Sequence, residues 1–290
     1  MIYVGTCGYA YKDWIGPFYP ARTRMGEMLG YYARRFPAVE IDTSYYGIPT
    51  RQTIASMDAR SPQEFRFTFK APRTVTHHAE KSKPVAREAL ELRHVLEPLR
   101  ARGKLACVLA QFPNGFKVDA SNEDYVRRVV EAFEGVPVAV EFRHRDWQRA
   151  ETLALLSDIH AANVNVDLPP LDGLPLASSD ATGAVGYVRF HGRNAERWWT
   201  GTNVTRYAYS YSTAELSPWC DRIAEIEAQV EATYVFFNNH ARGSAARNAE
   251  TLEALIEERF GASAGEIVAR AQGGNPQQDM LPGMPERERE

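Results

Sequence analysis

The sequence predicts an α/β fold: a single (β/α)8 barrel of the TIM type, followed by a disordered C-terminal tail. Three observations predict it. About eight short runs are rich in β-branched and aromatic residues, amphipathic stretches separate most of them, and the whole alternation fits within about 250 residues. The candidate strands are 2–6, 39–43, 65–70, 105–111, 138–142, 164–167, 187–191 and 234–238.

Between most of these runs, apolar residues recur at helical spacing. Examples are Leu92, Leu96 and Leu99, then Val126, Val130 and Phe133, then Leu153, Leu156 and Ile159, then Trp219, Ile223, Ile226 and Val230, and finally Leu252, Leu255 and Ile256. Regular alternation of strand and helix indicates parallel strands joined by right-handed crossovers. No Gly-x-Gly-x-x-Gly follows the first strand, which weakens the alternative of an open dinucleotide-binding sheet.

Length and composition predict one barrel domain over residues 1–261 and a low-complexity tail over 262–290. The 290 residues carry 34 Lys and Arg against 37 Asp and Glu, a net charge of −3, which disfavours wholesale coating of nucleic acid. No apolar run reaches the roughly 18 to 20 residues that span a bilayer, and Met1 to Tyr9 shows no leader pattern, so we expect a cytoplasmic protein. The 3 widely spaced cysteines indicate neither disulfides nor a zinc cage.

Charged side chains alternate with apolar ones along several strands. Because residues two apart share a face, and because the apolar face must meet the helices, we expect the charged face to line the barrel axis. The expected interior cations are Arg66, Lys70, Arg143 and Arg189, and the expected anions are Glu40, Asp42, Glu141 and Asp167. The candidate catalytic residues are Glu40, Asp42, Lys70, Glu141, Arg143, Asp167, Arg189 and His191. A purely structural, charge-paired core layer is the alternative.

The loops after the seventh and eighth strands predict an anion site. Ser244 is a candidate N-cap, Gly243 lets the backbone bend closely, and the helix that follows would direct free N–H groups toward the barrel mouth. Arg193, Arg242 and Arg247 would add charge, as suits a phosphate group. The remaining candidates in these loops are Asn238, Asn239 and His240. An ordinary capped helix with solvated arginines is the alternative.

Aromatic residues and histidines crowd the other strand-to-helix loops. The candidate ligand-binding residues among them are Tyr9, Trp14, Tyr45, Tyr46, His77, His144 and Trp147. Exposed rings can stack on sugars or bases, although packing of the loops against the barrel rim explains them equally well. Histidines and carboxylates together make a divalent metal possible, but no metal-binding spacing signals one.

Several ordered motifs resemble those of a known family. They are GTCGYAY at 5–11, VEIDTSYY at 39–46, FTFK at 67–70, QFP at 111–113, EFRH at 141–144, RFHG at 189–192 and FNN at 237–239. Together they resemble the YecE-like proteins, domain of unknown function 72, over about residues 1–260. The resemblance implies a TIM barrel and no established reaction. Asp42 stands where many relatives have Asn, and Cys7 where Ser is common.

The leading hypothesis is an enzyme that acts on a phosphorylated or phosphodiester-containing ligand at the carboxyl face of the barrel, with hydrolysis of the phosphoester or phosphodiester bond as the candidate reaction. A carbohydrate or sugar-phosphate enzyme of isomerase type is one alternative, and a non-catalytic nucleic-acid-binding protein is another. We expect no membrane partner. The tail segment Gln277-Gln278-Asp279-Met280-Leu281 loosely resembles peptides that dock on the bacterial sliding clamp, a further candidate interaction.

Overall fold

The computed structural model describes residues 1–77, 84–85 and 87–261, which form a closed barrel of parallel strands in chain order. The strands are β1 (Ile2–Cys7), β2 (Ala38–Ile41), β3 (Arg66–Lys70), β4 (Leu105–Gln111), β5 (Val138–Glu141), β6 (Ala162–Asp167), β7 (Val185–Phe190) and β8 (Ala232–Phe237). The barrel closes where β1 pairs with β8, with Ile2 opposite Thr233. The predicted (β/α)8 fold is confirmed.

Helices surround the barrel on its outer face. They are α1 (Met25–Tyr32), α2 (Arg51–Ala59), α3 (Arg73–Thr76), α4 (Arg87–Ala101), α5 (Ala120–Ala132), α6 (Ala150–Asp158), α7 (Asn203–Arg206), α8 (Thr213–Glu227) and α9 (Ser244–Phe260). Local sequence sets several of their starts: Thr50 caps α2, Asp119 caps α5, and Ser212 forms a capping box with Glu215 at α8. Within the described residues, no helix is both long and apolar enough to cross a membrane.

The alternating-face rule holds for most strands. The apolar residues of β5, β7 and β8 pack outward against the helices, whereas Glu141 and Arg189 face the barrel interior. Toward the amino ends of the strands the interior is apolar and aromatic, with Tyr3 and Tyr234 stacked at 5.0 Å between ring centroids. The barrel interior therefore changes from apolar at one end to ionic at the other.

Close packing of β1 on β2 requires one particular glycine. A Cβ atom added at Gly5 would lie 2.1 Å from the backbone oxygen of Ala38, well inside any possible contact. The hydroxyl of Tyr32 on α1 fills the space beside this contact and accepts the backbone N–H of Thr6 at 2.8 Å. This packing aligns the end of β1 with the end of β2, where Cys7 lies opposite Glu40.

Two sequence predictions about interior charges are wrong, one about which face a residue takes and one about its position along the strand. In β6 it is Val164 and Val166 that belong to the interior cluster, whereas Asp167 lies in the layer between the barrel and α8. Arg66 lies at the amino-terminal end of β3, with its guanidinium 5.7 Å from the ring centroid of Tyr3, away from the ionic end. The causes differ: β6 is covered on both faces, so Asp167 can turn outward where it finds partners, whereas Arg66 is the first residue of β3 and so lies at the apolar end of the interior.

Two further predictions concern the C-terminal part of the chain. Gly243, with a φ of 72°, takes the N-cap position of α9, so Ser244 is the first helical residue and not the predicted cap. The predicted tail, 262–290, and the candidate clamp-binding segment at 277–281 lie outside the described residues.

Candidate active site at the carboxyl end of the barrel

A fully buried arginine, Arg189 on β7, organises the ionic end of the barrel. Its Nε and Nη2 atoms donate to the two carboxylate oxygens of Glu40 at 3.0 and 2.5 Å, and its Nη1 donates to Glu141 Oε2 at 2.6 Å. The hydroxyl of Tyr187 donates to Glu40 Oε2 at 2.6 Å. Burying three charges in this way is tolerable because all three guanidinium nitrogens of Arg189 and both oxygens of Glu40 find a partner. The predicted convergence of Glu40, Glu141 and Arg189 inside the barrel is confirmed.

The second oxygen of Glu141 faces a different set of groups. Its Oε1 atom forms a close ion pair with Arg143 Nε and lies 3.2 Å from His191 Nε2. None of these three buried atoms makes a hydrogen bond of acceptable geometry. The other ring nitrogen of His191 lies 3.1 Å from Asn238 Nδ2, which can donate to it. Charge contacts therefore hold this side of Glu141, but its hydrogen-bonding capacity is left unused.

Burial and charge shift the pKa values of these groups in opposite directions. Burial raises the pKa of Glu40 to about 7, with Arg189 opposing the shift. Burial also acts to raise the pKa of Glu141, but Arg143 and Arg189 outweigh it and bring that pKa well below the ordinary value. The pKa of His191 falls well below its ordinary value because of burial and of Arg143. The imidazole of His191 is consequently neutral at physiological pH.

Cys7, Glu40 and Asp42 place candidate metal-ligating atoms within 4.8 Å of one another, the one such group in the described part of the chain. Arg189 Nη2 already lies 3.5 Å from Cys7 Sγ, 2.5 Å from Glu40 Oε1 and 3.9 Å from Asp42 Oδ1. Burial, reinforced by Glu40, raises the pKa of the Cys7 thiol well above its usual value, so it stays protonated. The Arg189 guanidinium therefore lies close to all three of these atoms, and a metal ion would have to compete with it for them.

Above this network lies an open pocket of about 560 Å³ at the carboxyl ends of the strands. Such a volume suits a small-molecule ligand. The residues that line it are Tyr11, Asp42, Thr43, Tyr45, Tyr46, Lys70, His77, Gln111, Pro113, Asn114, Arg143, Leu174, Arg189, Trp198, Trp199, Arg206, Tyr207, Asn238 and His240. They come from the strand ends and following loops of nearly the whole barrel, as in TIM-barrel enzymes.

Three charged side chains of the pocket lack a full set of partners. Lys70 donates to Gln111 Oε1 at 2.8 Å and lies over the ring of Tyr45, but it forms no ion pair with any carboxylate of the described residues. Arg206 likewise has no such ion pair there, and its buried Nε atom has no hydrogen-bond partner. Asp42 has a buried Oδ1 atom without a hydrogen bond, although its side chain is 29% exposed. The pocket thus presents two cations without a carboxylate partner among the described residues and one carboxylate oxygen without a hydrogen bond.

Asp42 itself does not lie in a strand. β2 ends at Ile41, and Asp42 begins a 3₁₀ turn, Asp42–Tyr45, that folds over the end of the barrel. Ser44 ties this turn to the neighbouring strand because its hydroxyl donates to the backbone oxygens of Ile41 and Lys70. The turn brings Asp42 and Tyr45 to the pocket beside Lys70, although the predicted strand 39–43 had placed Asp42 within β2.

Asp167 and Arg193 are paired with each other away from the pocket. Arg193 donates to both oxygens of Asp167 at 2.8 and 2.6 Å, and Tyr211 and Trp219 donate to them as well. All of these contacts lie between β6 and the α8 side of the barrel. The expectation that Asp167 would face the barrel axis and Arg193 a bound phosphate is therefore wrong in its geometry, because each satisfies the other.

The predicted anion site at the start of α9 is not assembled at the pocket either. Neither Arg242, Gly243, Ser244 nor Arg247 lines it. Arg247 donates to the backbone oxygen of Arg242 and to the Ser244 hydroxyl, which closes the turn on itself. The chain also supplies its own anion, since Asp13 accepts the backbone N–H of Arg242 at 2.7 Å. The loop after β1 covers this turn, as the Trp14 indole donating to His240 also shows.

The remaining predicted residues divide between the pocket and the packing around it. Trp14 and Trp147 are buried, and Trp147 stacks on Phe142 at 4.0 Å while its indole donates to Phe116. His144 accepts the backbone N–H of Asp146 and lines a separate cavity. Tyr9 lines another surface cavity, and Asn239 bonds Asn248 in the core. Tyr45, Tyr46, His77, Asn238 and His240 do line the pocket.

Sequence reasoning did not single out three polar residues of the pocket. Arg206, Gln111 and Asn114 line it without having been predicted as site residues. Gln111 belongs to the QFP motif and could have been found there, because it stands at the end of β4 on the interior face. Arg206 lies in the long segment between β7 and α8, where no periodicity fixes which side chains turn inward.

Comparisons with known proteins agree with the fold and the motifs. The family model described as "Protein of unknown function DUF72" matches residues 3–272. The UPF0759 protein YunF of Bacillus subtilis is 31% identical over 271 residues, 89% of this chain and 95% of that protein. The UPF0759 protein YecE of Escherichia coli K12 is 32% identical over 80 residues, 27% of this chain and 26% of that protein.

A solved structure shows the same architecture. The crystal structure of a DUF72 family protein from Thermotoga maritima superposes with a TM-score of 0.83 at 37% sequence identity, covering 89% of this chain and 99% of that one. Because the family model spans residues 3–272 and YunF matches over 95% of its length, the chain belongs to the DUF72 family, the YecE-like proteins that its motifs resemble.

Proposed function

We propose that this protein is an enzyme that binds a phosphorylated ligand, and hydrolyses a phosphoester or phosphodiester bond in it, within the pocket at the carboxyl end of the barrel. One observation carries the proposal: Lys70 and Arg206 line the pocket without an ion pair to any described carboxylate, above a buried network that contains two further arginines. Unpaired cations in a partly water-excluded cleft favour an anionic ligand.

The charges around the pocket fit a phosphate group. Lys70, Arg143, Arg189 and Arg206 outnumber the nearby carboxylates Glu40, Asp42 and Glu141, so an anion would complete the balance. Glu40 and Glu141 are fully buried and are occupied by the arginines. They would hold the guanidinium groups of Arg189 and Arg143 in place, and Arg143, at the pocket surface, would contact the ligand.

Asp42 is the carboxylate best placed to move a proton. Alone among the three it lines the pocket, and its Oδ1 atom has no hydrogen bond. In the proposed hydrolysis a water molecule attacks phosphorus while the bond from phosphorus to the leaving oxygen breaks. The Asp42 carboxylate takes the proton of the attacking water, the leaving oxygen takes a proton from solvent, and Lys70 and Arg143 stabilise the charge on the phosphoryl oxygens.

Thermal unfolding in the presence of ligands tests the binding part of this proposal. Inorganic phosphate and ribose 5-phosphate should raise the melting temperature, because a ligand at about 100 times its Kd stabilises the native state by about 2.7 kcal/mol. Lys70→Gln and Arg206→Gln should each remove most of the shift. Arg242→Gln is the matched control, since Arg242 is an exposed cation on a neighbouring loop outside the pocket. Equal shifts in all three variants would contradict the proposal.

Release of inorganic phosphate, or of nitrophenol from bis(p-nitrophenyl) phosphate, tests the catalytic part. Asp42→Asn should bind the ligand as the wild type does and lose turnover by about 100-fold or more, as expected for a general base. Turnover that survives in Asp42→Asn and Arg143→Ala together would place the reaction elsewhere or assign it to a contaminant.

An isomerase acting on a sugar phosphate would use the same cations, and the pocket amides Gln111, Asn114 and Asn238 could bond sugar hydroxyls. Such an enzyme would leave the phosphate attached to the sugar. A sugar phosphate that is stabilising, is converted to an isomer and releases no phosphate would favour this second function over hydrolysis.

A further inference from the structure

Two aromatic side chains at the mouth of the pocket are exposed to solvent. Tyr46 is 67% exposed and Trp199 is 55% exposed, and they are the exposed aromatic residues among the described part of the chain. Both line the same pocket, one from the loop after β2 and the other from the loop after β7. The many other rings of this protein are buried or half-buried, so packing of the loops does not account for these two.

On the β2 side, the exposed ring is coupled to a cation through a second ring. Tyr46 packs edge-on against Tyr45, with 4.9 Å between ring centroids and an interplanar angle of 86°. The ammonium group of Lys70 lies 4.6 Å from the centroid of Tyr45. The face of Tyr46 is therefore left open while its neighbour positions the positive charge.

The β7 side of the pocket also has an exposed ring next in the chain to a second ring that lies near a cation. Trp199 follows the buried Trp198 directly, and the Arg206 guanidinium lies 5.8 Å from the centroid of the Trp198 ring. Arg206 keeps an unpartnered Nε atom. On both sides of the pocket, an exposed aromatic residue is thus the chain neighbour of a ring that lies close to a cation without a carboxylate partner among the described residues.

We propose that the pocket recognises a nucleotide: a ligand in which a planar base is joined to a phosphate through a short sugar spacer. This inference rests on the proposed function and specifies its substrate class. The base would stack on Tyr46 or Trp199, and the phosphate would bind the cations below. A pocket of about 560 Å³ is large enough for a nucleotide, and a ligand without a ring would leave the exposed rings unused.

Binding constants for four probes test the inference: adenosine 5′-monophosphate, ribose 5-phosphate, adenosine and inorganic phosphate. The mononucleotide should bind about 5- to 150-fold more tightly than ribose 5-phosphate, the range expected for stacking of one base on an aromatic side chain. Tyr46→Ala and Trp199→Ala should reduce this ratio, at least one of them to within about threefold of unity, and should leave the affinity for ribose 5-phosphate unchanged. Leu90→Ala is the matched control, because Leu90 is an exposed apolar residue on α4 that does not line the pocket.

Intrinsic fluorescence supplies a readout that a general loss of stability would not mimic. Stacking on Trp199 should quench its emission on addition of the mononucleotide, and Trp199→Phe should retain binding while losing that part of the quenching. Quenching that is equal in the wild type and in Trp199→Phe would assign the base to Tyr46, a result that the Tyr46→Ala affinities must then match for the inference to stand.

The outcomes separate this inference from the proposed function. Equal affinities for adenosine 5′-monophosphate and ribose 5-phosphate, both sensitive to Arg206→Gln, would overturn the nucleotide inference and leave phosphate binding intact. Binding of none of the phosphorylated probes would overturn both. Comparing the mononucleotide with a 5′-phosphorylated oligothymidylate then distinguishes the source of the nucleotide: tighter binding of the oligomer favours a single-stranded end, and tighter binding of the monomer favours a free nucleotide.

Discussion

Two groups of buried carboxylates and arginines lie on opposite sides of the barrel wall and differ in how completely they are satisfied. Outside the wall, Asp167 accepts hydrogen bonds from Arg193, Tyr211 and Trp219 on both of its oxygens. Inside it, Glu141 shares Arg189 through one oxygen, but the other meets its neighbours without good hydrogen-bond geometry.

This difference separates a stabilising network from one that can accept a ligand. A carboxylate whose two oxygens both accept hydrogen bonds from the protein has no free position for a ligand. Its removal leaves several buried donors without acceptors. Glu141 keeps unused hydrogen-bonding capacity at some cost to stability, and in the proposed function its role is to hold Arg143 and Arg189 beside the pocket. The comparison predicts graded effects of substitution, from severe inside the core to negligible at the pocket surface.

The largest effect is expected for Arg189→Met. This change removes the shared partner of Glu40 and Glu141 and leaves two buried carboxylates facing each other, a loss of about 5 kcal/mol or more. Urea unfolding followed by circular dichroism should show a chain that is barely folded. Adding Glu40→Gln to the variant should restore part of the stability, because one unpaired charge is then removed; no recovery would mean that packing and not charge is responsible.

Asp167→Ala should rank second, at about 3 kcal/mol. It leaves the buried Trp219 indole and Tyr211 hydroxyl without an acceptor and frees Arg193, which is partly exposed and can rehydrate. Despite this loss, phosphate should still raise the melting temperature of the variant, since Asp167 lies outside the pocket. A variant that is stable but whose melting temperature no longer rises with phosphate would show that Asp167 supports ligand binding and not the fold.

The sequence predicts most of the fold. It also predicts the ionic group inside the barrel, but not the one between β6 and α8. Alternation along β5 and β7 placed Glu141 and Arg189 inside correctly, because the opposite faces of those strands are continuous apolar surfaces that only helices can cover. For β6 the same rule fails. Val164 and Val166 could pack on either face of β6, because both faces are covered. The side on which Asp167 lies is set by its hydrogen-bond donors Trp219 and Tyr211, which come from distant elements.

The loops are harder to predict for a physical reason. Arg242, Arg247 and the start of α9 have the composition of an anion site, yet Asp13 from another loop takes one of the free N–H groups. Arg206 gave no signal, because its position depends on how the segment after β7 folds over the barrel. Strand periodicity identifies the side chains that enter the barrel, but only tertiary contacts determine which of them remain unpaired.

The pH dependence of stability should reveal a smaller effect of the ionic group inside the barrel than the two substitutions above. The pKa of His191 is held well below its ordinary value by burial and by Arg143, so the unfolded chain takes up this proton first as the pH falls below about 6.5. Protonation then favours the unfolded state, and stability is lost in acid. Because its pKa is lowered, Glu141 also makes the protein less stable in acid, but only at pH values below its ordinary pKa. Glu40 acts in the opposite direction: because its pKa is raised, stability falls as the pH rises toward about 7.

Comparison with His191→Asn isolates the histidine contribution. Between pH 6.5 and 5, the wild type should lose about 1.5 kcal/mol relative to the variant. Urea unfolding at several pH values measures the difference, and any constant offset from repacking cancels. Parallel stability curves for the two proteins would mean that His191 binds its proton as readily in the folded state as in the unfolded chain, and that the lowered pKa assigned here is wrong.

The smallest effect on stability is expected where the effect on ligand binding is greatest. Arg206→Gln and Lys70→Gln remove cations that have no carboxylate partner among the described residues and that face other cations across the pocket. Relief of that repulsion should offset any lost packing, so the free energy of unfolding should stay within about 0.5 kcal/mol of the wild type or rise slightly. In the same variants the stabilisation by phosphate should largely disappear. A loss of more than about 1 kcal/mol without ligand would show that these side chains support the fold, and the unpaired charge at the pocket would then need a structural explanation in place of a functional one.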